Sequence, residues 1–278
     1  MKCVWVMALA FKKIDGLYPM AQYNTMGIVL RRMAFGETDN ILTIYTRDRG
    51  RVSAIAKGAR KAGSRLTGAS EVLTCANFGL ATGKSLHVLQ QAEVKNSFPA
   101  LRKDLMRLAH GQYMAELLSH FVAEDDPQPD LFTLLRSTLL LLERIADPEM
   151  ASRWFELRLM ERIGYAPDLE TCAVCGEPVP GPSTDAADRF ALSAAQGGVL
   201  CPYHARPREI DDHSELSYDA VDFVQHVNAH DLEHIRAVLS VAPPSHATAT
   251  QARLALRRYI RYRCDSDLRS IAFMDSLG

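Results

Sequence analysis

The feature that most limits what this chain can fold into is a change of hydrophobic period near Pro99. Ahead of it apolar residues alternate with polar ones. Behind it they recur every three to four positions. Two periods in separate blocks imply a strand-rich unit followed by a helical one. The expected class is α+β and multidomain, with a first domain over 26–97 and a helical domain over 98–278 that carries an insert at 168–207.

In the first block, Leu42 and Ile44 share one face, and Ile41, Thr43 and Tyr45 share the other. Asp48-Arg49-Gly50 is a turn signal leading into Arg51–Lys57, where Val52, Ala54 and Ala56 lie opposite Ser53 and Ile55. Further runs occupy Ser70–Leu80 and Leu86–Val94. About five short strands in some seventy residues predict a small barrel or sandwich. The size is that of a five-stranded OB-fold barrel, although strand count alone leaves an SH3-like barrel open.

In the second block, Leu101, Leu105, Leu108, Leu117, Leu118 and Phe121 predict one amphipathic helix, ended by Asp125-Asp126-Pro127. Leu131 to Ile145 predict a second. Asp147-Pro148 caps a third, which Gly164 stops. Trp154 and Leu157 flank its polar strip, so most of that helix is expected to be buried. Residues 165–207, rich in Pro and Gly, read as an irregular insert, followed by helical pattern at 215–241 and 248–263.

The insert holds the sharpest chemical motif. Cys172-Ala173-Val174-Cys175-Gly176 is C-x-x-C followed by glycine, and Cys201-Pro202-Tyr203-His204 is C-x-x-H. Three thiolates and one imidazole are the ligand set of a closed tetrahedral zinc site. Two intervening residues let both ligands of a knuckle converge on one ion. The 25-residue gap between the knuckles exceeds the usual ribbon spacing of about 15–20. Pro178–Pro182 and the polar stretch to Asp188 are expected to absorb the excess as a loop. A redox pair would need a βαβ setting, and a catalytic zinc would leave a position open. The expected cofactor is therefore structural zinc on Cys172, Cys175, Cys201 and His204, holding together a region with too little apolar content to pack alone.

The second motif is charge. Overall the chain carries −1, yet residues 26–65 carry +6 and residues 66–278 carry −9. The nine cations of the basic segment are Arg31, Arg32, Arg47, Arg49, Arg51, Lys57, Arg60, Lys61 and Arg65. Gly58, Gly63 and Ser64 keep the connection after the second strand flexible enough to follow a phosphate backbone. A polyanion, nucleic acid first, explains such a face better than solubility does, and its binding should weaken steeply with salt. Phe35, Tyr45 and Phe78 are candidate stacking platforms, each reading more readily as core.

Arg253, Arg257 and Arg261 share a helix face and read as solvated. His226, His230 and His234 repeat at i, i+4, i+8. Beside Asp231 and Glu233 they read as a polar surface row, with metal binding the alternative. No phosphate-binding glycine loop and no catalytic grouping is apparent. Six cysteines at this length suit a reducing compartment, and the expected location is cytoplasmic. The apolar run Cys3–Phe11 is about half of the ~20 residues a membrane helix needs. Residues 1–25 read as a loose extension, with Met26 a workable physical start.

Gly36–Lys61 (G-E-T-D-N-I-L-T-I-Y-T-R-D-R-G-R-V-S-A-I-A-K-G-A-R-K), then S-R-L at 64–66, F-E-L-R-L-M-E-R-I-G-Y-A-P at 155–167, the two knuckles, and L-R-S-I-A-F at 268–273 together resemble the bacterial RecO family of recombination-repair mediators. The likeness spans about residues 26–274. It implies an OB domain, a helical domain with a zinc insert, and no enzymatic turnover. Implied partners are single- and double-stranded DNA, RecR, the acidic tail of single-strand-binding protein (SSB) and, indirectly, RecA. Lys57 and Arg60 would fall on the DNA-binding surface, and zinc would be structural, since some members lack the cysteines. Arg102, Lys103, Arg107 and Arg136 are candidates for a groove that takes the SSB tail. The alternative class is a zinc-containing nucleic-acid enzyme or transcription factor.

Overall fold

The computed structural model describes residues 21–179, 189–206, 213–231, 233–235, 237, 243–264 and 267–276. Pro180–Asp188 of the loop expected from Pro178 to Asp188, and nearly all of the N-terminal extension, lie outside these residues. So do Leu232 and Leu239 of the fourth helical pattern.

The first five strands are β1 (Gln22–Phe35), β2 (Asp39–Thr46), β3 (Gly50–Ala56), β4 (Cys75–Ala81) and β5 (His87–Asn96). They close in the order β1-β2-β3-β5-β4, with β3 and β5 parallel and the other pairs antiparallel. This is an OB-like barrel. Its interior holds Val29, Leu42, Ile44, Val52, Phe78, Leu80 and Leu89, and the faces of β2 and β3 are those expected from the alternation.

β1 begins at Gln22, ahead of Met26, because Gln22–Thr25 pair with Phe78–Ala81 of β4. Ladder hydrogen bonds hold this end of the strand, where Gln22 and Asn24 are exposed while Tyr23 packs against the barrel core and Thr25 is buried. Further along β1, Val29 points into the barrel while Ile28 and Leu30 join the core of the helical region.

The junction between barrel and helices is continuous. Tyr45 packs in the helical core and donates to the Gln128 carbonyl at 3.2 Å. Arg51 donates to the Ser119 carbonyl at 2.8 Å. Gly50 adopts φ 66°, and a Cβ there would stand 2.2 Å from the Asp126 carbonyl oxygen. Only glycine lets the β2–β3 turn seat on the 124–126 loop.

The helices that can be bounded among the described residues are α1 (Pro99–Lys103), α2 (Leu105–Phe121), α3 (Pro129–Leu142), α4 (Pro148–Arg162), α5 (Tyr218–Ala229), α6 (His246–Arg261) and α7 (Arg269–Asp275). None of the described helices is long and apolar enough to cross a membrane. The single helix expected over 101–121 is two. Asp104 breaks it because its carboxylate accepts from the backbone N–H of Met106 and Arg107, capping α2. Asp147 caps α4 and Gly164 follows its end, as expected. α7 lies beyond the helices expected from the sequence: its first N–H groups, at Arg269 and Ser270, donate to the Glu116 carboxylate at 3.1 and 2.8 Å, so a residue of α2 caps it from across the fold.

The described part of the insert holds regular strands. β6 (Phe190–Ser193), β7 (Gly198–Leu200) and β8 (His213–Leu216) form a sheet in the order β7-β6-β8, and Phe190 and Leu192 enter the helical core.

A buried polar seam runs between α2, α4 and α6. Arg153 is 2% exposed and pairs with fully buried Glu156 at 2.6 Å, and Tyr113 also donates to Glu156. His110 shares a hydrogen bond with Ser152 at 2.7 Å. The C-terminal arginine row is only partly solvated. Arg253 meets Glu149 at 3.5 Å and Arg257 meets Asp275 at 2.8 Å, so two of its members neutralise neighbouring carboxylates; Arg261, 3.1 Å from Asp267, stays exposed.

Burial, then the Arg153, Arg257 and Arg253 guanidinium groups, hold the His110 imidazole down to about 3 against an ordinary 6.5. The unfolded chain therefore binds the extra proton between those values, and stability falls as pH drops from 6.5 towards 3. His110→Gln should flatten the pH slope of urea-unfolding stability, by about 2 kcal/mol between pH 6.5 and 5. Equal slopes in parent and variant would refute the assignment.

Candidate metal centre and nucleic-acid interface

The metal motif is assembled by local backbone geometry. Cys172 N–H donates to the Glu177 carbonyl at 2.8 Å and Ala173 N–H to the Val199 carbonyl at 2.9 Å, which lays the first knuckle on β7. His204 and Ala205 N–H groups turn back to the Cys201 carbonyl at 2.9 and 2.8 Å. All four ligand atoms lie within 4.8 Å of one another. Cys175 and Cys201 sulfurs are 4.0 Å apart, and His204 Nδ1 is 3.3 Å from Cys201 Sγ and 3.7 Å from Cys172 Sγ. A tetrahedral zinc ion at about 2.3 Å from sulfur and about 2.0 Å from nitrogen requires edges of about 3.8 and 3.5 Å. The residues fit that ion.

Electrostatics favour it too. Burial pushes the Cys172 thiol up, but N–H groups of Cys201, Cys175 and Val174 outweigh burial and bring it to about 6, so a thiolate stands ready at neutral pH. Around the knuckles the apolar support is one small cluster of Cys172, Ala191, Leu200 and Ala205. Such a cluster is too small to order the region unaided, which is the setting in which a bound ion contributes folding energy.

The structure divides the basic segment into three groups. Lys57, Arg60, Lys61 and Arg65 are exposed on the connection after β3. That connection is tied to the tip of the β1–β2 hairpin. Arg60 N–H donates to the Thr38 carbonyl at 2.8 Å, and Gly58, at φ 64°, donates to Asp39 Oδ1 at 2.8 Å. The Gly58 N–H, then the Thr38 hydroxyl, hold the Asp39 carboxyl below its ordinary range, so it stays ionised as the anchor of the loop. Phe35 projects from the same tip and is 50% exposed, with Met33 at 46%. Tyr45 and Phe78 are core, as expected; Phe35 is not.

Arg47 and Arg49 sit at the opposite end of the β2–β3 ladder. Six residues of strand place them about 20 Å from the loop. Arg49 stacks over Tyr23 at 4.8 Å, and the turn abuts the acidic Glu124–Asp126 loop. Arg31, Arg32 and Arg51 line a third region, a cleft of about 660 Å³ between barrel and helices that also takes in Glu116, Asp267 and Arg269. Within it Arg32 pairs with Glu71, and Arg51 is engaged with Ser119. Nearness along the chain does not report this separation in space.

Two of the four cations suggested for a tail-binding groove are engaged within the chain. Arg102 donates to the Ser97 and Val72 carbonyls at 2.9 and 3.0 Å. Arg107 bonds Asp104 and the Leu142 carbonyl. Arg136 and Lys103 are exposed.

Comparison with known proteins matches both units. The family described as Recombination protein O N terminal covers residues 20–98, and the one described as Recombination protein O C terminal covers residues 102–271. A curated protein of Roseiflexus sp. (strain RS-1), named DNA repair protein RecO, is 35% identical over 255 residues, 92% of this chain and 86% of its own. A namesake from Pelotomaculum thermopropionicum is 34% identical over 270 residues, covering 93% and 96%. Another, from Heliobacterium modesticaldum, is 35% identical over 269 residues, covering 93% and 91%.

Proposed function

The chain belongs to the RecO family, and from that premise we propose that it is a DNA repair and recombination mediator that binds DNA on the barrel and anneals strands without chemical turnover. It takes single- and double-stranded DNA, joins RecR, and helps RecA replace SSB on single strands. The observation that carries this reading is the exposed Lys57–Arg65 loop held beside Phe35 on a closed OB-like barrel. Complementary strands repel through their phosphates. A cationic loop lowers that repulsion and leaves base edges open to pair. Phe35 supplies a π-face on which an unpaired base stacks, worth about 1–3 kcal/mol. Zinc on Cys172, Cys175, Cys201 and His204 keeps the insert folded and takes no part in DNA contact.

The test is DNA affinity against salt. On single strands each lost phosphate contact removes about 0.7 from the slope of log affinity against log salt, so Lys57→Glu/Arg60→Glu should lower the slope by about 1.4 and weaken binding about 100-fold at low salt. Phe35→Ala should weaken single-strand binding about tenfold and spare duplex binding. The parent should speed strand pairing without nucleotide and without cutting DNA. An unchanged slope would remove the loop from the interface. Cleavage, or a need for ATP, would overturn the non-enzymatic reading. For the SSB tail, exposed Lys103 is the candidate to substitute first.

A further inference from the structure

We propose that His226, His230 and His234 form a second metal site, separate from the knuckles, that holds one transition cation of the zinc–nickel–copper kind on three imidazoles.

The chain bends to gather these rings. On an unbroken helix, residues eight apart are about 12 Å apart along the axis. Here His226 and His234 ring centroids are 6.0 Å apart, with His230 between them at 4.3 and 4.1 Å. The cause is local. α5 ends at Ala229, and His230 takes an extended conformation at φ −118° and ψ 158°. Asp231 then accepts from the His234 N–H at 2.9 Å and starts a new turn that folds the third ring back. From α4, Trp154 donates to the His230 carbonyl at 3.1 Å, and Arg158 bonds the Asn228 carbonyl, so the bend is anchored.

The nitrogens suit a metal. His230 Nδ1 donates to the His226 carbonyl at 2.9 Å, which fixes its tautomer and leaves Nε2 with its lone pair exposed for coordination. His226 Nε2 is buried and has no hydrogen-bond partner among the described residues. One ligand nitrogen from each of the three rings falls within a 4.8 Å spread. Side-chain rotation, easiest at exposed His234, closes that spread to the roughly 3.3 Å between nitrogens that each lie about 2.0 Å from one ion. Neutral imidazoles are the donors that nickel, copper and zinc prefer. Three of them leave a position for water or for a ligand from outside the chain.

The test uses the full untagged chain with its knuckle zinc in place, titrated with nickel(II) and separately with zinc(II) by calorimetry. One further equivalent is expected in each case. His230→Gln/His234→Gln should weaken it more than about tenfold, since losing even an outer partner of a ligand costs about 10- to 100-fold. His226→Gln should do the same, and it serves if the double variant misfolds. Cobalt(II) added to the zinc-loaded chain should give weak visible bands without sulfur-to-metal charge transfer. No added equivalent in the parent, an added equivalent that survives both variants, or a sulfur charge-transfer band would overturn the proposal.

Discussion

Cys172→Ser is expected to abolish tight zinc retention and lower the thermal midpoint by about 10 °C, while DNA affinity stays within about threefold of the parent. The loss passes through the insert sheet. Without the ion, β6 and β7 are left with the cluster of Ala191, Leu200 and Ala205. When they loosen, Phe190 and Leu192 leave the helical core at about 2 kcal/mol each. For a chain of this size each kcal/mol is worth about 2–4 °C. DNA affinity is spared because the Lys57–Arg65 loop is tied to the β1–β2 hairpin and makes none of these contacts. Elemental analysis of dialysed protein, a melting curve and a binding isotherm decide the matter. A loss of affinity at unchanged melting would move the ion into the DNA interface.

The parts that could be read from the residues are those where one physical constraint acts alone. β2 and β3 each present one buried face, so their alternation survives in the sequence. β1 is buried from Gly27 to Leu30 and exposed from Arg31 to Phe35, so it shows no alternation to follow. The knuckles were legible because coordination fixes residue type and spacing together, and the structure brings all four ligands to one point. β6, β7 and β8 are three or four residues long, too short to display a period. α7 depends on a carboxylate of α2, more than 150 residues earlier, and no local signal reports such a cap. For the basic segment, composition counts the charges, whereas the hairpin decides which of them meet.

The same limit hides the largest packing effect. Arg153 and Glu156 look like the polar face of α4, yet both are buried. Replacing Arg153 by Met keeps the volume and strands the Glu156 carboxylate beside Tyr113, which should cost about 3–5 kcal/mol of unfolding free energy at pH 7. Burial already holds the Glu156 carboxyl above its ordinary range even with Arg153 adjacent, and loss of the guanidinium raises it further. A carboxyl whose folded value exceeds its unfolded one binds its proton more readily when folded, so its penalty shrinks as pH falls. The deficit of Arg153→Met should therefore be smaller at pH 5 than at pH 7, the opposite direction to the effect of His110. Arg153→Met/Glu156→Gln removes both charges and keeps an acceptor for the Tyr113 hydroxyl, so it should recover most of the loss. Urea unfolding of the three chains at both pH values measures this. A deficit below about 1 kcal/mol with no pH dependence would mean that Glu156 reaches water in solution, and that the polar seam between α2 and α4 is wet.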